Sequence, residues 1–181
     1  MKSSEPLIAV AAILASTACL NANDLWYAGH TYKLTSTPGS WFDAEAEAIS
    51  MGGHLVAIND AAEQSAVESH FETLSPDPFY LWIGLTDSAR EGVWSWSNGD
   101  PLLYSNWAGL EPKGPGDPDN VLENWAFMNF EHNFRNGEWH DVDVNRVHLG
   151  IIECVPEPAT TAAGLFAISL ATVSLFRRSR A

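Results

Sequence analysis

At 181 residues the chain is long enough for one domain with end segments, and a body of this size buries a core without cross-links. Its 9 Lys and Arg against 23 Asp and Glu give a net charge of -14, which excludes nucleic acid as an expected partner. Only 2 cysteines occur, Cys19 and Cys154, so a disulfide framework is excluded and packing, helped by 8 Trp residues, must hold the fold. The acidic surface fits either simple solubility or the binding of divalent cations.

A secretory signal peptide is predicted at residues 1–22. Lys2 precedes an apolar run at 7–14, and small residues follow at 16–18, with another possible cleavage position at Ala22. This order is typical of a leader, and the run is too short to be a membrane span. Lipid modification of Cys19 is the alternative, although the residue three places earlier lacks the leucine-like side chain of a lipobox.

Two helices are predicted after an opening strand at 25–33. The first begins after Ser40 and ends at Gly52, and the second begins after Asp60 and ends before Pro76. Each start has a capping residue followed three positions later by a carboxylate, which is the pattern of a capping box.

Short strands are predicted for the rest of the body. They lie at 79–85, 93–96, 125–129, 138–141 and 147–153, where aromatic and β-branched residues are dense. Residues 98–121, here called the long loop, contain four prolines with several glycine, Asp and Asn residues. The order of one strand, two helices and then strands around a loop predicts an α+β fold without internal repeats.

The C-terminal segment, 155–181, combines three features. The motif Val155, Pro156, Glu157, Pro158 precedes an uncharged apolar stretch at 159–176, and an arginine cluster follows. The stretch is long enough for a transmembrane helix with the arginines in the cytoplasm. This order resembles the PEP-CTERM sorting signal of exopolysaccharide-producing Gram-negative bacteria. The resemblance implies an exosortase as partner, a transient inner-membrane anchor and delivery to the cell surface or exterior; an ordinary membrane anchor is the alternative.

Several motifs of the body resemble the C-type lectin domain. They are Gly52-Gly53-His54-Leu55, Trp82-Ile83-Gly84-Leu85, Trp94-Ser95-Trp96-Ser97-Asn98-Gly99, Glu123-Asn124 and Trp139-His140-Asp141. The resemblance runs from about residue 25 to 154 and defines a predicted domain at 23–154. It implies a C-type-lectin-like α+β fold with two helices, two small antiparallel sheets and a long ligand loop.

The two disulfides of that family are missing from this chain. By motif spacing their positions are the apolar residues Ala48, Trp125, Val144 and Ile152. Burial of these side chains is expected to replace the lost cross-links. Cys154 is then a lone thiol, or else it pairs with Cys19.

The resemblance also implies a calcium site, because sugar-binding members hold Ca2+ at the long loop with carboxylate and amide oxygens that also bind sugar hydroxyls. The carboxylates carried over are Glu111, Glu123 and Asp141. Lys113 and His140 replace the two amides, and neither side chain is a good ligand for a hard cation.

The loop acid Asp119 is a candidate substitute, which makes the predicted metal ligands Glu111, Glu123, Asp141 and Asp119. The predicted ligand-binding residues are Glu111, Lys113, Glu123, Asn124, His140 and Asp141. The alternative is that Glu111 and Pro112 form only a turn with a cis peptide and the acids are merely solvated. Likewise Trp107, Trp125 and Trp139 either stack on sugars or belong to the core.

The leading functional hypothesis is an exported, non-catalytic carbohydrate-binding protein, assisted by Ca2+ and associated with exopolysaccharide or biofilm matrix. The alternative is calcium-independent adhesion to another protein. A glycoside hydrolase using Glu111 and Glu123 is disfavoured, because a hydrophilic loop is a poor place to keep one acid protonated. The motifs do not name the sugar.

Overall fold

The computed structural model describes residues 21–74, 80–113, 123–130, 137–143 and 145–155. Its elements are, in order, β1 (Leu25–Tyr27), β2 (His30–Leu34), α1 (Trp41–Ser50), β3 (His54–Leu55), α2 (Ala61–Glu72), β4 (Tyr80–Thr86), β5 (Ser95–Trp96), β6 (Trp125–Asn129), β7 (Trp139–Val142) and β8 (Leu149–Cys154). The leader up to residue 20 and the tail from residue 156, which includes most of the sorting motif and the apolar stretch, lie outside these ranges and stay predictions. Neither described helix is long and apolar enough to cross a bilayer.

Both helices begin at the predicted capping residues. Ser40 Oγ accepts a hydrogen bond from the Asp43 amide at 3.2 Å, and the Asp43 carboxylate accepts one from the Ser40 amide at 3.1 Å. The box at α2 is only half formed. Asp60 caps the helix, but the Glu63 carboxylate accepts from the amide of Asn59 at 2.8 Å and from the hydroxyl of Tyr32 at 2.6 Å. The Glu63 side chain, which the local pattern assigned to the helix cap, therefore bonds instead to Asn59 and Tyr32.

Replacing Ser40 with alanine is expected to lower the free energy of unfolding by about 1 kcal/mol, because one amide of the first turn loses its acceptor. Urea denaturation measures this change. The matched control is Ser50→Ala in the last turn, where the exposed hydroxyl only donates to the Glu47 carbonyl. Equal midpoints for the two variants would contradict the assigned capping role.

The sheet brings distant parts of the chain together. Its strand order is β1-β2-β8-β4-β6-β7, with β3 paired to β8 and β5 paired to β4. The neighbouring pairs are antiparallel except β4 and β8, which run parallel at Leu81–Leu149 and Trp82–Gly150. The two predicted antiparallel sheets are thus joined into one mixed sheet. Parallel neighbours need a long connection, and here that connection contains the long loop, β6 and β7.

Two strand predictions differ from the structure by more than a shift of the ends. The predicted strand at 25–33 is a hairpin, because Ala28 and Gly29 turn the chain with positive φ angles of 49° and 94°. The alternation continues on both sides of this turn, so the pattern alone did not reveal it. The predicted strand at 93–96 is reduced to β5, since only its last two residues pair with β4.

The positions of the missing disulfides are buried where they are described. Ala48 and Ile152 are 0% exposed and Trp125 is 7% exposed, which confirms that packing replaces the cross-links there. Val144 lies outside the described residues. Cys154 is a free, partly buried thiol, and Cys19, its predicted alternative partner, also lies outside them.

Candidate functional site

The first described part of the long loop is fixed to β7 by Trp139. The Trp139 amide donates to the Asn106 carbonyl at 2.8 Å, and the Trp139 carbonyl accepts from the Ala108 amide at 2.9 Å. Its indole Nε1 donates to Gln64 Oε1 on α2 at 3.0 Å. This side chain is 0% exposed, so it belongs to the core and does not stack on a sugar. The arrangement places the next loop residues beside the end of β7.

The other two tryptophans considered as sugar platforms also pack against the protein. Trp125 is buried, with the half-exposed ring of Phe42 against it at 5.4 Å between centroids. Trp107 is partly buried and lies edge-on to Trp94 at 4.8 Å and to Trp139 at 5.9 Å. The core interpretation is therefore confirmed for Trp125 and Trp139, and Trp107 packs against that core.

Glu111 and Asp141 form a pair of carboxyl groups. The peptide bond between Glu111 and Pro112 is cis, as the alternative interpretation of this turn supposed. The two side chains lie within hydrogen-bonding reach of each other, and such a bond forms only when one carboxyl is protonated. Burial, together with the Glu111 carboxyl, raises the pKa of Asp141 from 3.8 to about 7. These acids are not simply solvated, because Asp141 is only 5% exposed.

One oxygen of each carboxyl is buried and has no donor within the described part of the chain. These atoms are Glu111 Oε2 and Asp141 Oδ1. Buried oxygens of this kind are satisfied by a proton, a cation or a ligand hydroxyl. A proton held between the two carboxyl groups, or a ligand hydroxyl, can supply the missing donor.

Lys113 contacts two of the predicted carboxylates at once. Its amide donates to Asp141 Oδ2 at 3.0 Å, while its ammonium Nζ lies 3.4 Å from Glu123 Oε2. The Lys113 side chain is 34% exposed and that of Glu123 is 18% exposed, so solvent screens this ion pair only in part. Glu123 is thus linked to the Glu111–Asp141 pair by its ion pair with Lys113.

His140 and Asn124 complete the described part of the site. His140 Nδ1 lies 3.5 Å from Glu111 Oε1, and its ring stacks on Phe127 with centroids 5.5 Å apart. Burial lowers the pKa of His140, which favours the neutral imidazole. The Asn124 carbonyl accepts from the hydroxyl of Thr86 at 2.7 Å, and Asn124 Oδ1 has no donor among the residues described.

The predicted calcium site would lie among these side chains. The free oxygens of Glu111 and Asp141 suit a hard cation, but the ammonium of Lys113 stands at Glu123, where it would repel that cation. No group of three or more His, Cys, Asp or Glu side chains in the described ranges could hold a metal. Asp119, the proposed substitute, lies outside those ranges. The described side chains do not fit the ion.

A cleft of about 540 Å³ adjoins the carboxyl pair. It is lined by Ala108, Gly109, Leu110, Glu111, Asn129, Glu138 and His140. Sequence reasoning missed Leu110, Asn129 and Glu138. The sequence did offer one signal, because Leu110 is an apolar residue in an otherwise polar loop. In the structure its side chain is 91% exposed and lies beside Glu111. Asn129 and Glu138 gave none, because only the pairing of β6 with β7 brings them together.

The fold and the family motifs define the class of protein. The model of the Lectin C-type domain matches residues 37–151, which is more than half of the chain, so the chain belongs to the C-type lectin domain family. This family is carbohydrate-binding and non-catalytic, and calcium is a common cofactor in it. The predicted fold and the expectation that the chain is not an enzyme are therefore confirmed.

Individual relatives show the same similarity over most of the body. A perlucin-like protein of Mytilus galloprovincialis is 30% identical over 146 residues, covering 79% of this chain and 88% of the relative. The galactose-specific lectin nattectin of Thalassophryne nattereri is 35% identical over 96 residues, covering 53% and 58% of the two chains. The structure of the C-type lectin CEL-I from Cucumaria echinata has a TM-score of 0.65 at 25% identity, covering 77% of this chain and 99% of that chain.

Proposed function

We propose that this chain is an exported carbohydrate-binding protein whose ligand face combines the Glu111–Asp141 pair, Lys113 and the adjoining cleft. The observation that carries the proposal is a cleft of about 540 Å³ lined by Glu111, whose carboxyl lies within hydrogen-bonding reach of the buried Asp141 carboxyl. That volume lies within the ordinary range for small-molecule sites. Sugar hydroxyls donate to carboxylates and accept from an ammonium, and such charge-assisted bonds are the strong ones.

The biological ligand we propose is a neutral exopolysaccharide of a biofilm matrix. The tail resembles an exosortase signal, so export, a transient inner-membrane anchor and exosortase processing belong to this proposal. The net charge of -14 favours neutral polymers, because uronate-containing polymers would be repelled. The Ca2+-assisted form of the hypothesis has in its favour the common use of calcium in the family and the unpartnered oxygens of Glu111 and Asp141, but the Lys113 ammonium opposes the ion, and we place the binding on the protein's own donors.

The test is binding of the full chain, purified in detergent, to a panel of neutral and uronate-containing polysaccharides by calorimetry. We expect neutral polymers to bind and the double variant Glu111→Gln, Asp141→Asn to lose at least about tenfold in affinity, or ~1.4 kcal/mol. Glu91→Gln, which removes an exposed carboxylate outside the site, is the matched control. Equal affinities in all three proteins would refute this ligand face.

Calcium-independent adhesion to another protein is the second candidate. It is favoured by two apolar side chains of the long loop, Leu103 at 81% and Leu110 at 91% exposure. Matrix treated with periodate loses sugar ligands, whereas matrix treated with protease loses protein ligands. Retention of the chain on periodate-treated matrix but not on protease-treated matrix would favour adhesion over carbohydrate binding.

A further inference from the structure

We propose that Lys113 supplies a tethered positive charge at the place where other members of the family hold calcium, so that this chain binds carbohydrate without the ion. The inference rests on the proposed carbohydrate-binding function and adds its cofactor requirement. The same face of the protein would bind carbohydrate in either case, and the added point is that no metal ion is required.

The first argument is the position of Lys113 between the acids. Lys113 follows Glu111 by two residues, and its amide donates to Asp141 at 3.0 Å. Its Nζ lies 3.4 Å from Glu123 Oε2. One residue therefore contacts, through backbone and side chain, two of the three carboxylates that the family resemblance assigns to the ion. A divalent cation at the same point would have to displace the ammonium.

The second argument is chemical. In the family the calcium ion neutralises the carboxylates and binds the oxygens of two neighbouring sugar hydroxyls. These hydroxyls in turn donate hydrogen bonds to the same carboxylates. An ammonium carries charge of the same sign and three hydrogen-bond donors, and that of Lys113 lies 3.4 Å from Glu123 Oε2. Two neighbouring sugar hydroxyls can accept hydrogen bonds from Nζ and donate to the carboxylate of Glu123 or Glu111. The ammonium and the sugar would then bind the same carboxylates, as the ion and the sugar do in the family. A single charge attracts hydroxyls less than a divalent ion, and affinities for single sugars should be correspondingly low.

The third argument is electrostatic exclusion. The ammonium is about one-third exposed and its partner Glu123 less than one-fifth, so an approaching cation meets a poorly screened positive charge. The second missing amide, at His140, removes a further oxygen ligand and places an imidazole ring beside Glu111. The lysine adds a permanent repulsive charge.

The experiment compares the full chain in detergent with three variants, with and without millimolar calcium. His140→Asn restores one amide but keeps the lysine, and Lys113→Asn with His140→Asn restores both. We expect calcium to leave the melting temperature of the native chain and of His140→Asn unchanged, and to raise that of the double variant by roughly 5 °C. Lys113→Met, which removes the charge without adding an oxygen, should weaken polysaccharide binding about tenfold, or more.

Polysaccharide binding of the native chain should be the same in EDTA and in calcium, whereas binding by the double variant should require calcium. The inference is overturned if calcium stabilises the native chain, if EDTA abolishes its binding, or if His140→Asn responds to calcium with the lysine in place. It is also overturned if the double variant folds but does not respond. If no polysaccharide binds while the double variant still gains its calcium response, the proposed function fails and the displacement of the ion by Lys113 stands.

Discussion

Replacing Asp141 with asparagine should make the protein more stable at pH 8 and less dependent on pH. The folded-state pKa of Asp141, about 7, is above its ordinary value of 3.8, so the folded chain holds a proton that the unfolded chain has released. The stability tied to this proton is fully present below pH 3.8 and is lost as pH rises to about 7. The full difference between these two pKa values corresponds to roughly 4 kcal/mol, and because the proton is shared with Glu111 we expect about half of it, about 2 kcal/mol.

An asparagine avoids this loss because its amide can donate to Glu111 at any pH while its oxygen still accepts from the Lys113 amide. We expect the native chain to be about 2 kcal/mol less stable at pH 8 than at pH 4, and the variant to lose much less. Urea titrations at both pH values measure the difference. Carbohydrate affinity of the variant should fall about tenfold, since a carboxylate acceptor becomes an amide.

Asp143→Asn is the matched control for this prediction. Asp143 lies two residues further along, is partly exposed and pairs with Arg146 at 3.6 Å. Exposed pairs contribute little, so this variant should stay within about 0.5 kcal/mol of the native chain and keep its pH dependence. If Asp141→Asn shows the same dependence on pH as the native chain, the two carboxyl groups do not share a proton.

Replacing Trp139 with alanine should destabilise the protein by about 3–5 kcal/mol, because a fully buried indole is removed from the core. The ring touches Trp96, Tyr104 and Trp107 with centroids 5.5 to 5.9 Å away, and its Nε1 donates to Gln64. The melting temperature should fall by roughly 10–20 °C, measured by calorimetry. The same indole supports the loop that carries Glu111, so carbohydrate binding should weaken even where the variant is folded.

Two further variants separate the causes of this loss. Trp139→Phe keeps much of the packing but leaves Gln64 without its donor, so a loss of about 1–2 kcal/mol is expected. Trp26→Ala removes a tryptophan that is 62% exposed and should cost at most about 0.5 kcal/mol. A Trp139→Ala protein as stable as Trp26→Ala would contradict the role given to Trp139.

The local features of this fold could be predicted because their causes are local. Ser40 with Asp43, and Asp60 as a cap, identify helix starts within a few residues, and the glycines after α1 end it. The strand at Trp125–Asn129 was predicted with its observed bounds, because dense aromatic and apolar residues favour a buried strand. The turn at Ala28 was missed, since alanine carries no turn signal and its positive φ is imposed by the hairpin.

The candidate site could be predicted only in part. Motif spacing identified Glu111, Glu123 and Asp141. The structure brings Glu111 and Asp141 together, and Lys113 contacts both Asp141 and Glu123. Lys113 was interpreted from sequence as damage to an ion site. Its amide and ammonium instead contact two of the acids, which residue type alone could not reveal. Asn129 and Glu138 were missed because a β-pairing, not a motif, places them at the cleft.

By itself, then, the sequence determined the order of helices and strands, the acidic and disulfide-poor character of the body, and which carboxylates to consider. These properties follow from short-range periodicity, capping and composition. Only the tertiary structure decided that the carboxyl groups of Asp141 and Glu111 lie within hydrogen-bonding reach and that Lys113 reaches Glu123. Such contacts depend on burial and on distances of a few ångströms between residues far apart in the chain, and only the packing of the long loop against β7 sets them.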